Sequence, residues 1–240
     1  MAISKNDIRF IRSLQQKKVR NEERLFVVEG KKMVEEVLEM HWDVKFLLSS
    51  DESFCANHNA QLVSEQVIST CSSFATASGY LAVVDCHNLP ALDLKKVQKI
   101  VVLNGVSDPG NAGTIMRTCE WFGVDGVVFD EHCVELENPK VIQSTMGAVF
   151  RVPTLKISSK EIISLLNQHD FRTMVADMKG ESIYTLEKKT KWALVMGGES
   201  HGVSAEFKNV NPIHIPRIGL GESLNVGIAT GIILSQLTQE

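Results

Sequence analysis

Nowhere in its 240 residues does the chain carry about 18 consecutive apolar residues, so no segment is suited to cross a bilayer as a helix. Its first ten residues are polar and charged, without the apolar stretch of a secretory signal. No CxxC pair occurs, and the five cysteines (Cys55, Cys71, Cys86, Cys119 and Cys133) are scattered and odd in number. That pattern argues against a disulfide framework and against a zinc site, and a reducing cytoplasm is the expected compartment. There is no internal repeat, no low-complexity tract and no cluster of ligands that calls for a metal. Nor is positive charge in excess: the net charge is −4, which argues against a chain coated for nucleic acid along its whole length. What remains, 44% hydrophobic and 22% charged, is globular composition with enough length to bury a sizeable core.

Charge is nevertheless unevenly spread. Residues 1–32 hold nine basic side chains against four acidic ones, among them Arg9, Arg12, Lys17, Lys18 and Arg20. A local basic surface can steer a polyanion on a protein that is acidic overall. On charge alone, a solvated helix face explains the same residues equally well.

Hydrophobic spacing divides the chain. A helix is expected over 4–18 from Ile8, Ile11 and Leu14, then a strand at 25–28 and a helix over 31–40 striped by Met33, Val34, Val37 and Leu38. A strand at 44–48, a helix at 64–71 and a strand at 80–84 complete a small α/β unit. Residues 87–98 contain Pro90 and little pattern, which places a boundary between a first unit, 1–90, and a second, 98–240. Beyond it, apolar runs at 100–103, 126–129, 171–176, 192–196 and 213–215 alternate with helical stretches at 112–122, 139–146, 159–168, 203–208 and 225–238. Such alternation predicts an α/β fold with a largely parallel sheet and helices on both faces.

In an open parallel sheet, ligands gather at the carboxyl ends of the strands, so loops that follow strands are the candidates. The first, NGVSDPGNAGT (104–114), contains the turn Asp108-Pro109-Gly110-Asn111, with Asn111 a candidate helix cap. It opens a helix carrying Arg117, placed to reach back and grip phosphate. It satisfies neither GxGxxG nor the P-loop pattern. The second, MGGESHG (196–202), brings Gly197, Gly198 and Glu199. Its GESHG fits the G-x-S-x-G elbow of serine hydrolases, with Ser200 as nucleophile. Such a hydrolase needs an acid and then a histidine downstream; only Glu206 precedes His214, and the 40 remaining residues leave little room for the rest of that fold. The glycines are expected instead to let a ligand approach the backbone. The third, IPRIGLGESLNVG (215–227), leads Ser223 and Asn225 into an apolar helix, with Ser223 the expected N-cap. The small residues Gly227, Ala229 and Gly231 predict close packing, on another helix for example.

Together, NGVSDPGNAGTIMRTCEWFG (104–123), LVMGGESHGVS (194–204) and IPRIGLGESLNVGIATGIIL (215–234) resemble the three motifs of the SpoU-type (TrmH) RNA 2′-O-methyltransferases of the SPOUT superfamily. The intervening STMGAVFRVP (144–153) is similar to the family's linking segment. The resemblance runs over about residues 100–238, and residues 1–85 more weakly resemble the family's small L30e-like substrate-binding domain. It implies a SPOUT-type α/β knot, with a C-terminal trefoil knot in a methyltransferase domain at 98–240, behind an L30e-like RNA-binding domain at 1–90. It also implies a homodimer and S-adenosyl-L-methionine as cofactor. Carried over motif by motif, it implies Asn111, Arg117, Glu199, Ser223 and Asn225 as catalytic residues. The cofactor would be held largely by backbone at Gly197, Ile215 and Leu224, with Gly198 and Pro216 beside them. RNA is the implied partner, docked on Arg9, Arg12, Lys17, Lys18 and Arg20, and the two-domain layout leans slightly to rRNA over tRNA. Gly198 stands where the family often has alanine and Gly227 where it commonly has serine or alanine; neither change removes a polar group that the chemistry needs.

A ribose hydroxyl must lose its proton as it attacks a sulfonium methyl in line, so the reaction asks for alignment and for stabilisation of charge growing on the 2′-oxygen. A guanidinium is almost never deprotonated near neutral pH. Arg117 is therefore expected to hold the developing oxyanion and the neighbouring phosphate, not to act as a free base. Two rival readings stand beside this one: a serine hydrolase built on GESHG, and an RNA-binding or assembly protein that kept the fold without the catalysis.

Overall fold

A computed structural model describes residues 3–187, 189–199, 202–208 and 210–239. In chain order the elements are α1 (Lys5–Ser13), α2 (Lys17–Glu23), β1 (Leu25–Glu29), α3 (Lys31–Glu39), β2 (Val44–Ser49), α4 (Glu52–His58), β3 (Gln61–Leu62), α5 (Glu65–Cys71) and β4 (Tyr80–Asp85). They continue as β5 (Lys99–Asn104), α6 (Pro109–Trp121), β6 (Gly126–Phe129), α7 (Pro139–Thr145), β7 (Thr154–Lys156), α8 (Ser159–Gln168), β8 (Arg172–Ser182), β9 (Trp192–Gly197), β10 (Pro212–His214) and α9 (Val226–Leu237). No described helix is long and apolar enough to cross a membrane.

Packing separates two compact units, Met1–Leu89 with Glu135–Phe150, and Pro90–Val134 with Arg151–Glu240. A single linear boundary near residue 90 is thus not the whole division. The segment Glu135–Phe150 joins the first unit because α7 lies against β1 and Trp42 meets Phe150 edge-on, with ring centroids 5.0 Å apart.

In the first unit, β4 runs antiparallel between β1 and β2 in the order β1-β4-β2-β3. Ile11, Leu14, Val27, Leu48, Ile68, Leu81 and Val83 form its core. The helix expected over 4–18 is two helices, broken between Ser13 and Lys17. The break leaves carbonyls at Leu14 and Gln15 to be satisfied, and Arg20 donates to them at 3.0 and 2.8 Å. Its guanidinium then pairs with Glu135 at 2.7 Å. Arg20 is 3% exposed. Its assignment to RNA docking is therefore corrected: a buried, paired guanidinium cannot reach a phosphate. Arg9, Arg12 and Lys18 are exposed, and Lys17 is exposed while pairing with Glu135 at 2.9 Å.

The second unit is built on a six-stranded sheet among the described residues, all parallel, in the order β10-β8-β9-β5-β6-β7. Alternation along the strands supplies two apolar faces. Ile100, Val102, Val128 and Val195 cluster with Ile162 and Leu166 of α8 and with Phe207. On the other face α6 contacts β6, and α9 contacts both β9 and α6. The small residues of α9 make that last contact close: a Cβ on Gly227 would lie 3.1 Å from the Thr114 methyl, and one on Gly231 would lie 3.7 Å from the Thr118 methyl.

Candidate functional site

The two central strands bring the first two loops together. Parallel register pairs Leu103 with Met196 and Asn104 with Gly197, so β5 and β9 end side by side. The Gly198 amide donates to the Asn104 carbonyl at 3.0 Å. A Cβ on Gly198 would sit 2.3 Å from the Gly105 carbonyl oxygen, and one on Gly197 would sit 2.6 Å from the Gly202 carbonyl carbon. On the Cβ side these glycines therefore admit the chain's own backbone, and both also line the larger cavity of the site. A bridge between Gly198 and Gly202 closes the second loop and leaves Glu199 exposed. Ser200, the nucleophile of the hydrolase reading, lies outside the described residues.

Both helix caps differ from expectation. Asp108 caps α6, its carboxylate accepting from the Asn111 amide at 2.7 Å, with Pro109 in the first turn. Proline needs no amide partner there, and Asp108 stands three positions before Asn111, in ordinary capping geometry. Asn111 is thereby free of capping. In the third loop the cap of α9 is Asn225, not Ser223, and its oxygen accepts from the Gly227 and Ile228 amides at 2.9 and 3.3 Å.

The side chains so released or placed converge. Asn111 Nδ2 donates to Glu199 Oε1 at 2.9 Å. Asn225 Nδ2 donates to Asn111 Oδ1 at 2.8 Å and lies 3.2 Å from Glu199 Oε1. One residue from each of three loops thus meets in a single hydrogen-bonded cluster. Arg117 and Ser223 do not join it: both are exposed and have no side-chain partner among the described residues. Six residues at about 3.6 per turn place Arg117 roughly 120° round the helix from Asn111. It shares the face of α6 that exposes Trp121.

Two cavities border the cluster. The larger, about 910 Å³, runs from Met196 and Gly197 along Ile213–Val226 and includes Gly198, Glu199, Ile215, Pro216, Ser223, Leu224 and Asn225. The smaller, about 450 Å³, is lined by Asn104, Asp108, Asn111, Asp130, His132, Glu199 and Ser204. Both lie in the ~300–1,000 Å³ range of small-molecule sites. The S-adenosylmethionine implied by the motifs fits the larger one. Met196, Ile213, Ile215, Leu224, Ala229 and Ile233 offer apolar walls for an adenosyl ring. Residues 215–224 make no backbone–backbone hydrogen bond among the described residues, and apart from the Gly221 carbonyl, which accepts from Arg217 at 3.2 Å, their peptide groups are left for its polar edges.

No thiol nearby is suited to nucleophilic work. Cys119 and Cys133 are buried, and burial pushes both thiols up, Cys133 to about 12. Polar residues that pattern reading missed are Asp130, Ser159 and Ser204, which gather around Asn104 below the cluster. Asp130 signals itself only by position, just beyond the apolar run 126–129, and Ser159 and Ser204 carry no such signal.

Comparison with known proteins is consistent over the whole chain. Residues 98–235 match the SpoU rRNA Methylase family, and residues 5–82 match the MRM3-like substrate binding domain. The chain is 29% identical over 235 residues to the 23S rRNA (guanosine(2553)-2'-O)-methyltransferase RlmP of Bacillus subtilis (strain 168), covering 94% of this chain and 93% of that protein. A TrmH-family structure from Porphyromonas gingivalis superposes with TM-score 0.86 at 32% identity, over 99% of this chain and 98% of that one. The AdoMet-bound rRNA methyltransferase from Sinorhizobium meliloti superposes with TM-score 0.86 at 27% identity, over 99% and 95%.

Proposed function

Because the chain belongs to the SpoU rRNA methylase family, we propose that the cluster of Asn111, Glu199 and Asn225 is the catalytic centre of an enzyme acting on ribosomal RNA. The chain is an S-adenosylmethionine-dependent RNA 2′-O-methyltransferase. The single observation that carries the assignment of the centre is the meeting of those three side chains where two cavities adjoin.

S-Adenosyl-L-methionine supplies the activated methyl group when bound in the larger cavity. The backbone at Gly197, Ile215 and Leu224, with Gly198 and Pro216 beside them, holds its adenosyl part. Glu199, fixed by two amides, orients Asn111 and Asn225 toward the ribose, and Ser223 lines the approach. The acceptor nucleotide would enter from the side of the smaller cavity, where Asn111 and Glu199 would align its hydroxyl. Arg117 stands apart from its own chain's cluster, so its role in stabilising charge on the 2′-oxygen, without giving up its own proton, requires a dimer face to close over it.

The same reading includes a homodimer. The packed pair α6 and α9 exposes Trp121 (84%) and Ile228 (57%), apolar surface that a second copy would cover. Closing that face would carry Arg117 into the interface. A trefoil knot belongs to the proposal as well: it would be formed by the segment that leaves edge strand β10 and reaches α9, which packs on β9 and α6. The first unit, over about residues 1–90, docks structured RNA through Arg9, Arg12, Lys17 and Lys18. A cytoplasmic enzyme follows from an rRNA substrate.

Methyl-labelled S-adenosylmethionine offered with rRNA and with tRNA from cells lacking the gene tests this reading. Label should enter rRNA at one ribose. Label in tRNA alone would sink the rRNA assignment, and failure to bind the cofactor by calorimetry would favour a non-catalytic RNA-binding role.

A further inference from the structure

Asn104 ends β5 and Asp130 follows β6, the adjacent parallel strand. Both are buried, at 1% and 0% exposure. Asp130 accepts four hydrogen bonds: from Asn104 Nδ2 at 2.6 Å and Ser159 Oγ at 3.2 Å on one oxygen, and from the Gly105 and His132 amides at 3.0 Å each on the other. Asn104 Oδ1 in turn accepts from the Ser204 amide at 2.6 Å, while its backbone carbonyl accepts from the Gly198 amide at 3.0 Å. One residue therefore holds both ends of the loop that carries Glu199.

A free amide side chain can present either its oxygen or its nitrogen. Here the two sides permit one orientation. A carboxylate can only accept, so it takes the nitrogen, and the Ser204 N–H can only donate, so it takes the oxygen. We propose that Asn104 and Asp130 form a positioning clasp. Asp130 sets the sense of the Asn104 amide, and Asn104 fixes the 198–204 loop so that Glu199 stands between the two cavities. The proposal rests on reading the larger cavity as the cofactor site. Neither residue touches the reacting atoms; both act through Glu199 and the loop backbone.

The clasp can be inverted. Asn104→Asp sets two buried carboxylates against each other, which burial and like charge both oppose. Adding Asp130→Asn restores an amide facing a carboxylate: Asp at 104 accepts from Ser204, and Asn at 130 donates to it while its oxygen accepts from Gly105 and His132. In N104D the Kd for S-adenosylmethionine should rise about tenfold or more, and kcat on rRNA should fall on the order of 100-fold. The KM for RNA should change far less than kcat, since the phosphate contacts made elsewhere are untouched. The double variant N104D/D130N should regain most of both losses, and this recovery distinguishes the clasp from a position that merely tolerates no change.

Hydrogen exchange at the Ser204 amide reads the clasp without any ligand. It should be slow in the parent, fast in N104D and slow again in the double variant. Equal exchange in all three overturns the clasp, whatever the cofactor does. If N104D does not fold, D130N alone serves: it keeps the shape but frees the amide to turn, and parental Ser204 exchange with parental affinity would overturn the proposal. A parent protein with a slow Ser204 amide but no affinity for S-adenosylmethionine supports the clasp and overturns the cofactor reading instead.

Discussion

The basic stretch 5–24 and the three loops after β5, β9 and β10 treat sequence distance in opposite ways. In the stretch, neighbours part company: Arg20 goes inward to Glu135, Lys17 pairs at the surface, and Arg9 and Arg12 stay in water. In the loops, residues as far apart as 111, 199 and 225 share one hydrogen-bonded cluster. Like charges side by side have no common task unless the fold gives them a common face. Polar residues with no obvious affinity for one another acquire a task because parallel register and two helix caps deliver them to one point.

The largest expected effect tests the inward member of the stretch. Arg20→Ala leaves Glu135 with Lys17 alone and the Leu14 and Gln15 carbonyls without their donor, and should cost about 3 kcal/mol of folding stability, measured by denaturant unfolding. Burial pushes the Glu135 carboxyl up, but Lys17 and Arg20 outweigh it and hold it below its ordinary value. A lowered carboxyl contributes stability above its unfolded pKa and loses it as pH falls through the folded one. The deficit of Arg20→Ala should therefore shrink in acid. A small, pH-independent loss would break the contrast between Arg20 and its neighbours.

Glu199→Ala tests the convergence of the loops. With the shared acceptor gone, kcat/KM should drop on the order of 100-fold through misplacement. Glu199 is exposed, so the unfolding midpoint should hardly move. Unchanged turnover would leave the cluster without a role. Arg117→Lys follows, with a loss of about 10- to 100-fold in kcat because the planar fork is removed while the charge remains. Near-normal turnover would end the oxyanion role. The smallest effect belongs to the exposed cations. Arg9→Ala and Arg12→Ala should each lower the salt slope of RNA binding by roughly 0.7–0.9. A slope that does not change would place the RNA elsewhere.

Much of the fold was legible because it is written in periodicity. The apolar run 126–129 coincides with β6, and the stretch 159–168 with α8. α4 went unread because only Phe54 and Cys55 of its seven residues are buried, too few for a stripe, although Asp51 signals its cap. β7 is three residues long, and the helix expected at 203–208 is a single 3-10 turn, Ala205–Phe207. In the site, motif resemblance named Asn111, Glu199 and Asn225, but not why they meet. The caps were misplaced because Asp108 and Asn111, like Ser223 and Asn225, are both competent capping types, and only the position of the first turn decides between them. The direction of Arg117 depends on helix phase, and the clasp on β5–β6 register; neither is present in a linear motif.

Asn225 both starts α9 and completes the cluster with Asn111, 114 residues earlier. That separation has a meaning in time. At about 5–20 residues per second, a ribosome delivers Asn225 roughly 6–23 s after Asn111. At the end of that interval the chain carries Asn111 and Glu199 but still lacks the last wall of the larger cavity and the Asn225 amide that completes the cluster. Helix nucleation and assembly of the centre then happen as one event, so an unfinished chain lacks the assembled cluster.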